Sequence, residues 1–334
     1  MGQGLQRIEK RDFGIQARPW MLLLSKLLLV AFLLPSASQA VDLEGDGTDD
    51  LTVFRPLLGP VIGTWFVASS RDDLTYIYQW GLEDDVPVAG NFTGGAGSDL
   101  VVWRPTDGVW YLRHYDASLD FSDASAYQWG LSGDTALRCD LTGDGPNELT
   151  VFRNSNGTWY SRNSAVGIAN YSTATVQPWG LSGDTPAPAD YDGDDKCDYA
   201  VFRDGNWYVI LSASGGTDVV TIGWGTTGDI PVPADYDADG ITDFAVYRES
   251  ASSGPTWFIR QSSKLSDLAT FGRSLQWGLV GDVPLVTDVT GDGLVDITVW
   301  RPSTGIWYVL TSESDFASAL AFQFGLPVDI PQGR

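Results

Sequence analysis

Short apolar runs recur along the chain about every 50 residues, and each ends in an arginine. They are LTVFR to Arg55, LVVWR to Arg104, LTVFR to Arg153, YAVFR to Arg203, FAVYR to Arg248 and ITVWR to Arg301. Runs of β-branched and aromatic residues between turn-forming residues are typical of buried β-strands. The pattern therefore predicts one such strand in each of six repeats.

Three further strands complete each repeat. The next strand contains a tryptophan, at Trp65, Trp110, Trp159, Trp207, Trp257 or Trp307. A third strand ends in Trp-Gly, at Trp80, Trp129, Trp179, Trp224 and Trp277, with Phe324 in that place in the last repeat. A Gly-Asp-x-Pro type segment then leads into a short strand such as PVPADY. The frequent turn signals leave no room for helices.

Repeats of four short strands predict a β-propeller, in which small sheets surround an axis. We expect an all-β, six-bladed propeller of four-stranded blades. The last residues, FGLPVDIPQGR from Phe324, match WGLSGDTPAPA from Trp179, and residues 41–42 would continue the frame. The C-terminal strand is therefore predicted to join the N-terminal blade and close the ring.

The first 40 residues are predicted to lie outside this domain. Residues 21–34, MLLLSKLLLVAFLL, are apolar apart from Ser25 and Lys26, and small residues stand at Ser38 and Ala40. This pattern is typical of a secretory signal peptide. We expect cleavage after Ala40, translation from Met21, a single domain over residues 41–334 and a secreted location, extracellular or periplasmic. No membrane insertion is expected after cleavage.

The acidic charge of the chain is concentrated in one recurring segment. Residues 41–334 contain 15 basic and 41 acidic residues, a net charge of −26. Nucleic acid and anionic membranes are therefore poor partners. Nine-residue acidic turns, here turns 1 to 6, precede the arginine-ended strands and begin at Asp42, Asn91, Asp140, Asp190, Asp235 and Asp288.

These turns carry oxygen ligands at regular spacing. Positions 1, 3, 5 and 9 of the six turns hold 19 of the 41 acidic residues. Such clusters repel one another unless a cation lies among them, and Ca²⁺ prefers oxygen ligands. Glycine at position 6, as in Gly47 and Gly240, permits a sharp turn. An EF-hand does not fit, because position 12 is valine within a strand where that motif has glutamate.

The D-x-D-x-D-G-x-x-D frame on a strand-turn-strand repeat resembles FG-GAP or VCBS-type repeats, the family that includes the integrin α propeller. The resemblance covers residues 41–334. It implies Ca²⁺ bound in the turn between the first and second strands of a blade. The implied ligand positions are Asp42, Glu44, Asp46 and Asp50; Asp140, Thr142, Asp144 and Glu148; Asp190, Asp192, Asp194 and Asp198; Asp235, Asp237, Asp239 and Asp243; and Asp288, Thr290, Asp292 and Asp296.

The resemblance implies up to five calcium ions. Turn 2 has Asp99 as its one acid, so we expect it to be empty, and Asp195 replaces the position-6 glycine of turn 4. The competing interpretation is that these segments are Asx turns without metal. A disulfide between Cys139 and Cys197 is open, since the sequence does not give their separation.

The sequence favours a recognition or adhesion module that binds an extracellular protein or surface polymer. The recurring tryptophans and arginines are interpreted as structural, and function is expected in loops that differ between repeats. A Ca²⁺-dependent lectin is the first alternative, with Tyr76, Tyr115, Tyr127 and Phe271 as candidate sugar contacts. A polysaccharide-degrading, lyase-like enzyme is the second. No catalytic residue is predicted, and the single histidine, His114, has no recognisable catalytic partner in the sequence.

Overall fold

The computed structural model describes residues 8–9, 41–56, 62–72, 74–165, 168–262 and 272–333. These residues form six antiparallel sheets in which four strands follow the same order, arranged around one axis as a six-bladed β-propeller. The predicted fold class, blade number and strand number are confirmed. Blades 1 to 6 are numbered by the acidic turn that each contains. The predicted leader lies outside the described residues, apart from Ile8–Glu9.

Each blade runs from an innermost strand at the axis to an outer strand at the rim. The innermost strands are β5 (Val86–Pro87), β9 (Asp134–Leu137), β13 (Thr185–Pro186), β17 (Ile230–Pro231), β21 (Val283–Thr287) and β25 (Ile330–Gln332). The second strands are β2 (Leu51–Arg55), β6 (Leu100–Arg104), β10 (Leu149–Arg153), β14 (Tyr199–Arg203), β18 (Phe244–Arg248) and β22 (Asp296–Arg301).

The third strands are β3 (Thr64–Ala68), β7 (Val109–Arg113), β11 (Thr158–Ala165), β15 (Asn206–Ile210), β19 (Thr256–Arg260) and β23 (Ile306–Leu310). The outer strands are β4 (Leu74–Gln79), β8 (Ala124–Gln128), β12 (Ile168–Pro178), β16 (Val219–Gly223), β20 (Gly272–Gln276) and β24 (Ala319–Gln323). A two-residue strand, β1 (Ile8–Glu9), pairs with the outer edge of β4. A short 3₁₀ turn covers Ser312–Ser314.

The strand order explains the apolar pattern of the sequence. Second strands lie between neighbouring blades and are buried on both faces, so they consist of nearly continuous apolar residues. Outer strands such as β8, β16 and β20 alternate between exposed and half-buried residues. Because the strands are antiparallel, the acidic turns lie at one end of the propeller. The tight turns after the second and outer strands lie at the opposite end, here the hairpin end.

The C-terminal strand closes the ring. In blade 1, β25 pairs with β2, with Ile330 opposite Phe54 and Gln332 opposite Thr52. The predicted closure by the C-terminal strand is therefore confirmed. Three of the four strands of blade 1 come from residues 51–79, and the fourth comes from the other end of the chain.

The recurring tryptophans connect the blades. The six third-strand tryptophans are fully buried, as predicted for core residues. The tryptophans of the Trp-Gly pairs are half-buried, and each donates its indole N–H to a third-strand carbonyl of the following blade. These bonds run from Trp80 to Tyr111, Trp129 to Tyr160, Trp179 to Tyr208, Trp224 to Phe258 and Trp277 to Tyr308. Phe324 has no N–H to donate at the junction of blades 6 and 1.

The recurring arginines form ion pairs at the hairpin end. Each contacts a buried aspartate through two nitrogens, in the pairs Arg55–Asp329, Arg104–Asp85, Arg153–Asp134, Arg203–Asp184, Arg248–Asp229 and Arg301–Asp282. Each guanidinium also lies over an aromatic ring of the third strand. The six arginines therefore have the structural role that their repetition predicted.

The hairpin end also exposes one apolar residue in five of the six repeats. The residue after each Trp-Gly or Phe-Gly pair is Leu82, Leu131, Leu181, Leu279 or Leu326, each 44 to 58% exposed. In the described part of the chain, no helix is long and apolar enough to cross a membrane.

Candidate metal centre

The acidic turns surround the axis and are linked to one another by backbone hydrogen bonds. At five junctions among the described residues, the backbone N–H of position 8 donates to the carbonyl of position 1 in the preceding turn, over 2.7 to 2.9 Å. The pairs are Ser98 to Asp42, Asn147 to Asn91, Cys197 to Asp140, Thr242 to Asp190, and Asp49 to Asp288. A cavity of about 650 Å³ opens at this end and is lined by residues of turns 1 to 5.

The acid at position 1 folds its own turn. In turn 4, Oδ1 of Asp190 accepts the N–H groups of Asp192, Gly193 and Asp194, and Oδ2 accepts that of Asp195. Asp42, Asp140, Asp235 and Asp288 do the same in their turns. This is the hydrogen-bond pattern of an Asx-type turn, and it shows that position 1 shapes the turn.

Position 6 adopts the left-handed conformation that its glycines predicted. The φ angle is 91° at Gly47 and 84° at Gly240. Asp195 adopts the same conformation with φ of 64°, which is unfavourable for a side chain with a Cβ. Turn 4 therefore keeps the shape of the others at some conformational cost.

The acid at position 9 fastens the turn to the third strand. In turn 5, Oδ2 of Asp243 accepts the N–H of Tyr236, and Oδ1 accepts that of Ser262. Asp50, Asp198 and Asp296 are bound in the same way by the equivalent residues. Because both oxygens are bonded to backbone N–H groups, this carboxylate stabilises the turn as well as offering oxygen ligands.

Burial raises the pKa of these position-9 acids. It raises the pKa of Asp198 to about 6 and that of Asp243 to about 7. Burial, followed by the charge of Glu44, raises the pKa of Asp50. Burial also raises the pKa values of Glu148 and Asp296. A bound divalent cation would favour the charged carboxylates and reverse these shifts.

Position 3 holds the oxygens that protein donors do not satisfy. Both carboxylate oxygens of Glu44 are buried without a hydrogen-bond partner among the described residues, and the side chain is 5% exposed. Oδ1 of Asp192 is also buried without such a partner, and burial raises the pKa of this carboxyl. A buried, unbonded carboxylate is costly unless a cation is present. Position 3 therefore distinguishes these turns from simple Asx turns.

Four turns bring three acids together, with one oxygen of each within 4.8 Å of the others. The groups are Asp42, Glu44 and Asp50; Asp140, Asp144 and Glu148; Asp190, Asp192 and Asp194; and Asp235, Asp237 and Asp239. Of the predicted positions, Asp46, Thr142, Asp198 and Asp243 lie in these turns but outside the three-acid groups. These donor sets fit a hard divalent cation, because their ligands are all oxygens.

The threonine turns satisfy position 3 internally. Thr142 donates to Oε1 of Glu148 over 3.0 Å, and Thr290 donates to Asp288 and Asp296 over 3.4 Å. In turn 2, Thr93 donates to Asp99 in the same manner. The acids Asp288, Asp292 and Asp296 of turn 6 do not form a three-acid group of the kind described above among the described residues. The structure thus ranks turns 1, 4 and 5 first for cation binding, followed by turn 3.

A serine at the end of the third strand or just after it is a candidate-site residue that sequence reasoning missed. The hydroxyl groups of Ser164, Ser212, Ser262 and Ser312 each donate to the position-5 acid of their turn. In blade 1, the hydroxyl of Ser70 instead donates to the carbonyl of Thr48. Serine stands at this place in five of the six repeats, and that recurrence is the signal that could have identified it.

Cys139 and Cys197 form a disulfide with a Cα separation of 5.8 Å. The bridge links turn 3 to turn 4, because Cys139 precedes Asp140 and Cys197 precedes Asp198. The sequence left this pairing open, and the structure supplies the separation that decides it.

The candidate sugar contacts are partly engaged inside the fold. Tyr76 stacks on Tyr78 and donates to Asp72, while Tyr127 packs edge-on against buried Tyr171. Tyr115 is half-buried and lies across turn 2 at Gly95 and Gly97. Phe271 lies outside the described residues. The three described tyrosines are therefore packing residues with partly exposed edges.

His114 lies at the end of β7, where its Nε2 is 2.7 Å from the hydroxyl of Ser125. Both side chains are half-buried; His114 directly follows β7, and Ser125 lies in β8 of the same blade. The contact links the loop after β7 to the outer strand.

No protein-family model and no curated protein matches the sequence. A lectin from Agrocybe aegerita, described as recognising non-reducing terminal N-acetylglucosamine, aligns with a TM-score of 0.52 and 16% identity, over 85% of this chain and 79% of that chain. Streptogramin B lyase aligns with a TM-score of 0.48 and 9% identity, over 83% and 88% of the two chains. The WD40 domain of Toxoplasma gondii coronin aligns with a TM-score of 0.41 and 11% identity, over 82% of this chain and 70% of that chain. The likeness to the lectin shows a shared fold.

Proposed function

We propose that this propeller is an exported, calcium-binding recognition module of the FG-GAP or VCBS type. The observation that carries the proposal is the buried, unbonded position-3 carboxylate of Glu44 in turn 1. In turn 4, one oxygen of the position-3 acid, Oδ1 of Asp192, is likewise buried without a donor, while Oδ2 accepts the N–H of Ala213. Glu44 lies beside Asp50, whose pKa burial raises, and burial also raises the pKa of Asp192 itself. A cation supplies the missing positive charge in both turns.

The cation would be held by the three-acid group of each turn, which uses positions 1, 3 and 9 in turn 1, positions 1, 5 and 9 in turn 3, and positions 1, 3 and 5 in turns 4 and 5. When bound, Ca²⁺ neutralises the acids and fixes the turn. The residues of the chain do the rest: position 1 folds the turn, position 9 ties it to the third strand, and the serine orients position 5. The expected result is a rigid turn end for the propeller.

Export is supported by two observations. The disulfide is a bond of oxidising compartments, and residues 21–40 have the pattern of a cleaved signal peptide. The recognition role is supported by the fold, in which repeated structural contacts build a ring whose loops differ. The loop of residues 114–123 and the long β11–β12 hairpin distinguish blades 2 and 3 from the others.

The finer version of the proposal is a calcium-dependent lectin. The Agrocybe aegerita lectin, which recognises terminal N-acetylglucosamine, shares the propeller fold. The partly exposed edges of Tyr76, Tyr115 and Tyr127 provide aromatic surface that could stack on a sugar ring. An extracellular protein is the other partner class, and it would use the same loops.

Calorimetry with CaCl₂ on residues 41–334 tests the metal site. We expect calcium to bind, and we expect its affinity to fall when Glu44→Gln and Asp192→Asn are introduced together. The matched control is Asp218→Asn, which removes an exposed charge outside the turns. Absence of heat and of any rise in melting temperature with CaCl₂ would overturn the calcium proposal.

A glycan array probed with and without a chelator tests the recognition role. Selective binding that disappears with the chelator would support the lectin version. A folded, calcium-loaded protein that binds no glycan would overturn it and direct the search to protein partners. Including an acidic polysaccharide and measuring its chain length tests the lyase-like alternative in the same experiment.

A further inference from the structure

The disulfide lies within the backbone that holds two neighbouring cation turns. The carbonyl of Cys139 accepts the N–H of Glu148, which is position 9 of turn 3, over 3.0 Å. The N–H of Cys197 donates to the carbonyl of Asp140, which is position 1 of turn 3, over 2.8 Å. Cys197 also precedes Asp198, which is position 9 of turn 4. One covalent bond is thus adjacent to acids at both ends of turn 3 and at the end of turn 4.

Four other junctions among the described residues have the same backbone bond without the covalent link. At the next junction, Ala189 and Thr242 occupy the places of Cys139 and Cys197, and the N–H of Thr242 donates to Asp190 over 2.8 Å. The carbonyl of Ala189 accepts the N–H of Asp198, as that of Cys139 accepts the N–H of Glu148. The disulfide is therefore an addition to a frame that forms without it.

The bridge can be reached from solvent on one side. Cys139 is 1% exposed, whereas Cys197 is half-buried and lines the cavity at the turn end. A small thiol reductant can approach Cys197 through this cavity. Lys196, the residue before Cys197, lies against Gly143 of turn 3, so a shift of this segment would disturb both turns.

From these contacts, we propose that the Cys139–Cys197 disulfide sets the cation affinity of turns 3 and 4, so that reduction weakens calcium binding at this pair alone. In the reduction step, a dithiol transfers two electrons and two protons to the bridge, giving two cysteine thiols and the cyclic disulfide of the reductant. The proposal rests on the proposed function, since it concerns regulation of the same turns. By linkage, bound calcium must in turn make the disulfide harder to reduce.

The physical reason is pre-organisation. The oxidised bridge holds the position-1 and position-9 acids of turn 3 and the position-9 acid of turn 4 at fixed separation. After reduction, only backbone hydrogen bonds hold this junction, and each cation must order the turn when it binds. Loss of such outer support commonly weakens metal binding by about tenfold or more.

The test measures calcium affinity by calorimetry in oxidised protein and in protein reduced with a phosphine, with the redox state checked by mass. Turns 1 and 5 are silenced by Glu44→Gln and Asp237→Asn, so that the signal comes mainly from turns 3 and 4. We expect about tenfold weaker binding after reduction. A complementary variant restores turns 1 and 5 and silences turns 3 and 4 by Asp144→Asn and Asp192→Asn, and its affinity should not change on reduction.

A transplanted bridge controls for general loosening of the fold. In a Cys139→Ala, Cys197→Thr background, Ala189→Cys and Thr242→Cys move the disulfide one junction along the ring. The turns whose calcium affinity falls on reduction should then be turns 4 and 5. If the oxidised transplant fails to fold, the equilibrium extent of disulfide reduction in a dithiol redox buffer, with and without CaCl₂ in the unmodified protein, gives an independent readout, and calcium should shift it toward the oxidised form.

The outcomes separate the two proposals. No calcium binding to the oxidised protein would overturn the proposed function. Calcium binding with the same affinity before and after reduction, by a protein that remains folded, would overturn the redox inference and leave the calcium proposal intact. A disulfide reduction equilibrium unaffected by calcium would also overturn the inference.

Discussion

The hydroxyl of Ser212 donates a 2.8 Å hydrogen bond to Oδ1 of Asp194, and its backbone N–H donates to Oδ1 of Asp198 over 2.6 Å. One residue from outside turn 4 therefore orients the acids at positions 5 and 9. The same arrangement at Ser262 and Ser312 shows that the third strand, as well as the turn, builds the candidate site.

The first prediction concerns this serine. Ser212→Ala should weaken calcium binding at turn 4 by about tenfold, because Asp194 loses the donor that orients it. Ser212→Thr should restore binding, since it keeps the hydroxyl. Calorimetry with CaCl₂ measures the effect, and Ser318→Ala, at an exposed position, is the matched control. Equal affinity in the alanine and threonine variants would show that the hydroxyl does not orient the ligand.

The second prediction concerns Glu44. In calcium-free protein, Glu44→Gln should raise the melting temperature by about 2 to 4 °C, corresponding to roughly 1 kcal/mol, because it removes a buried charge without a donor. With calcium, the same variant should gain less stability than the unmodified chain, since it loses a ligand. Thermal unfolding with chelator and with CaCl₂ measures both effects. A variant destabilised equally in both conditions would contradict the role given to Glu44.

The third prediction concerns pH. Burial raises the pKa of Asp198 to about 6 and that of Asp243 to about 7, from an ordinary value of 3.8. The folded chain therefore retains protons that the unfolded chain releases as the pH rises above about 4. Without calcium, the contribution of these two acids to the free energy of unfolding should fall from pH 4 to pH 7 and then level off.

Calcium should remove this dependence, because the cation replaces the protons on the turn acids. Urea unfolding at several pH values, with chelator and with saturating CaCl₂, measures the difference. Asp198→Asn combined with Asp243→Asn should flatten the calcium-free profile. A calcium-free protein that becomes more stable between pH 4 and pH 7 would count against uncompensated burial of these acids.

The fourth prediction concerns the junction of blades 6 and 1. Phe324 packs with Phe66 in one cluster, at the place where five other junctions have an indole bonded to the next blade. Phe324→Trp should donate to the carbonyl of Phe66 and stabilise the protein by about 1 kcal/mol. Trp277→Phe should cost a similar amount at the neighbouring junction. Urea unfolding measures the free energy of unfolding of both variants against that of the unmodified protein. A destabilised Phe324→Trp protein would contradict the prediction.

The fold could be predicted from sequence because every repeat contains the same signals. Apolar five-residue runs, tryptophans at fixed places and acidic turns specify a blade six times, and Phe324 to Arg334 matches the segment that begins each other blade. A strand that is hard to assign in one repeat can be assigned from the equivalent segments of the other five. The closure between β25 and β2 followed from the same comparison.

The site was only partly predictable. The spacing identified the acids, but it treated positions 1, 3, 5 and 9 as equivalent ligands. The structure separates them, since Asp190 folds the turn, Asp198 ties it to the third strand and Asp192 keeps a buried oxygen without a donor. These roles depend on backbone N–H groups and on Ser212, which lies 22 residues from the start of the turn. Local spacing does not report such contacts.

The two ends of the propeller differ in charge, and this has a consequence for how the molecule meets a surface. At the hairpin end, six arginines neutralise six aspartates beside a circle of exposed leucines. At the other end lie the acidic turns, whose positions 1, 3, 5 and 9 hold 19 acidic residues, so negative charge is concentrated at that end. A positively charged surface or partner would therefore meet the turn end first, and removal of calcium would strengthen that orientation.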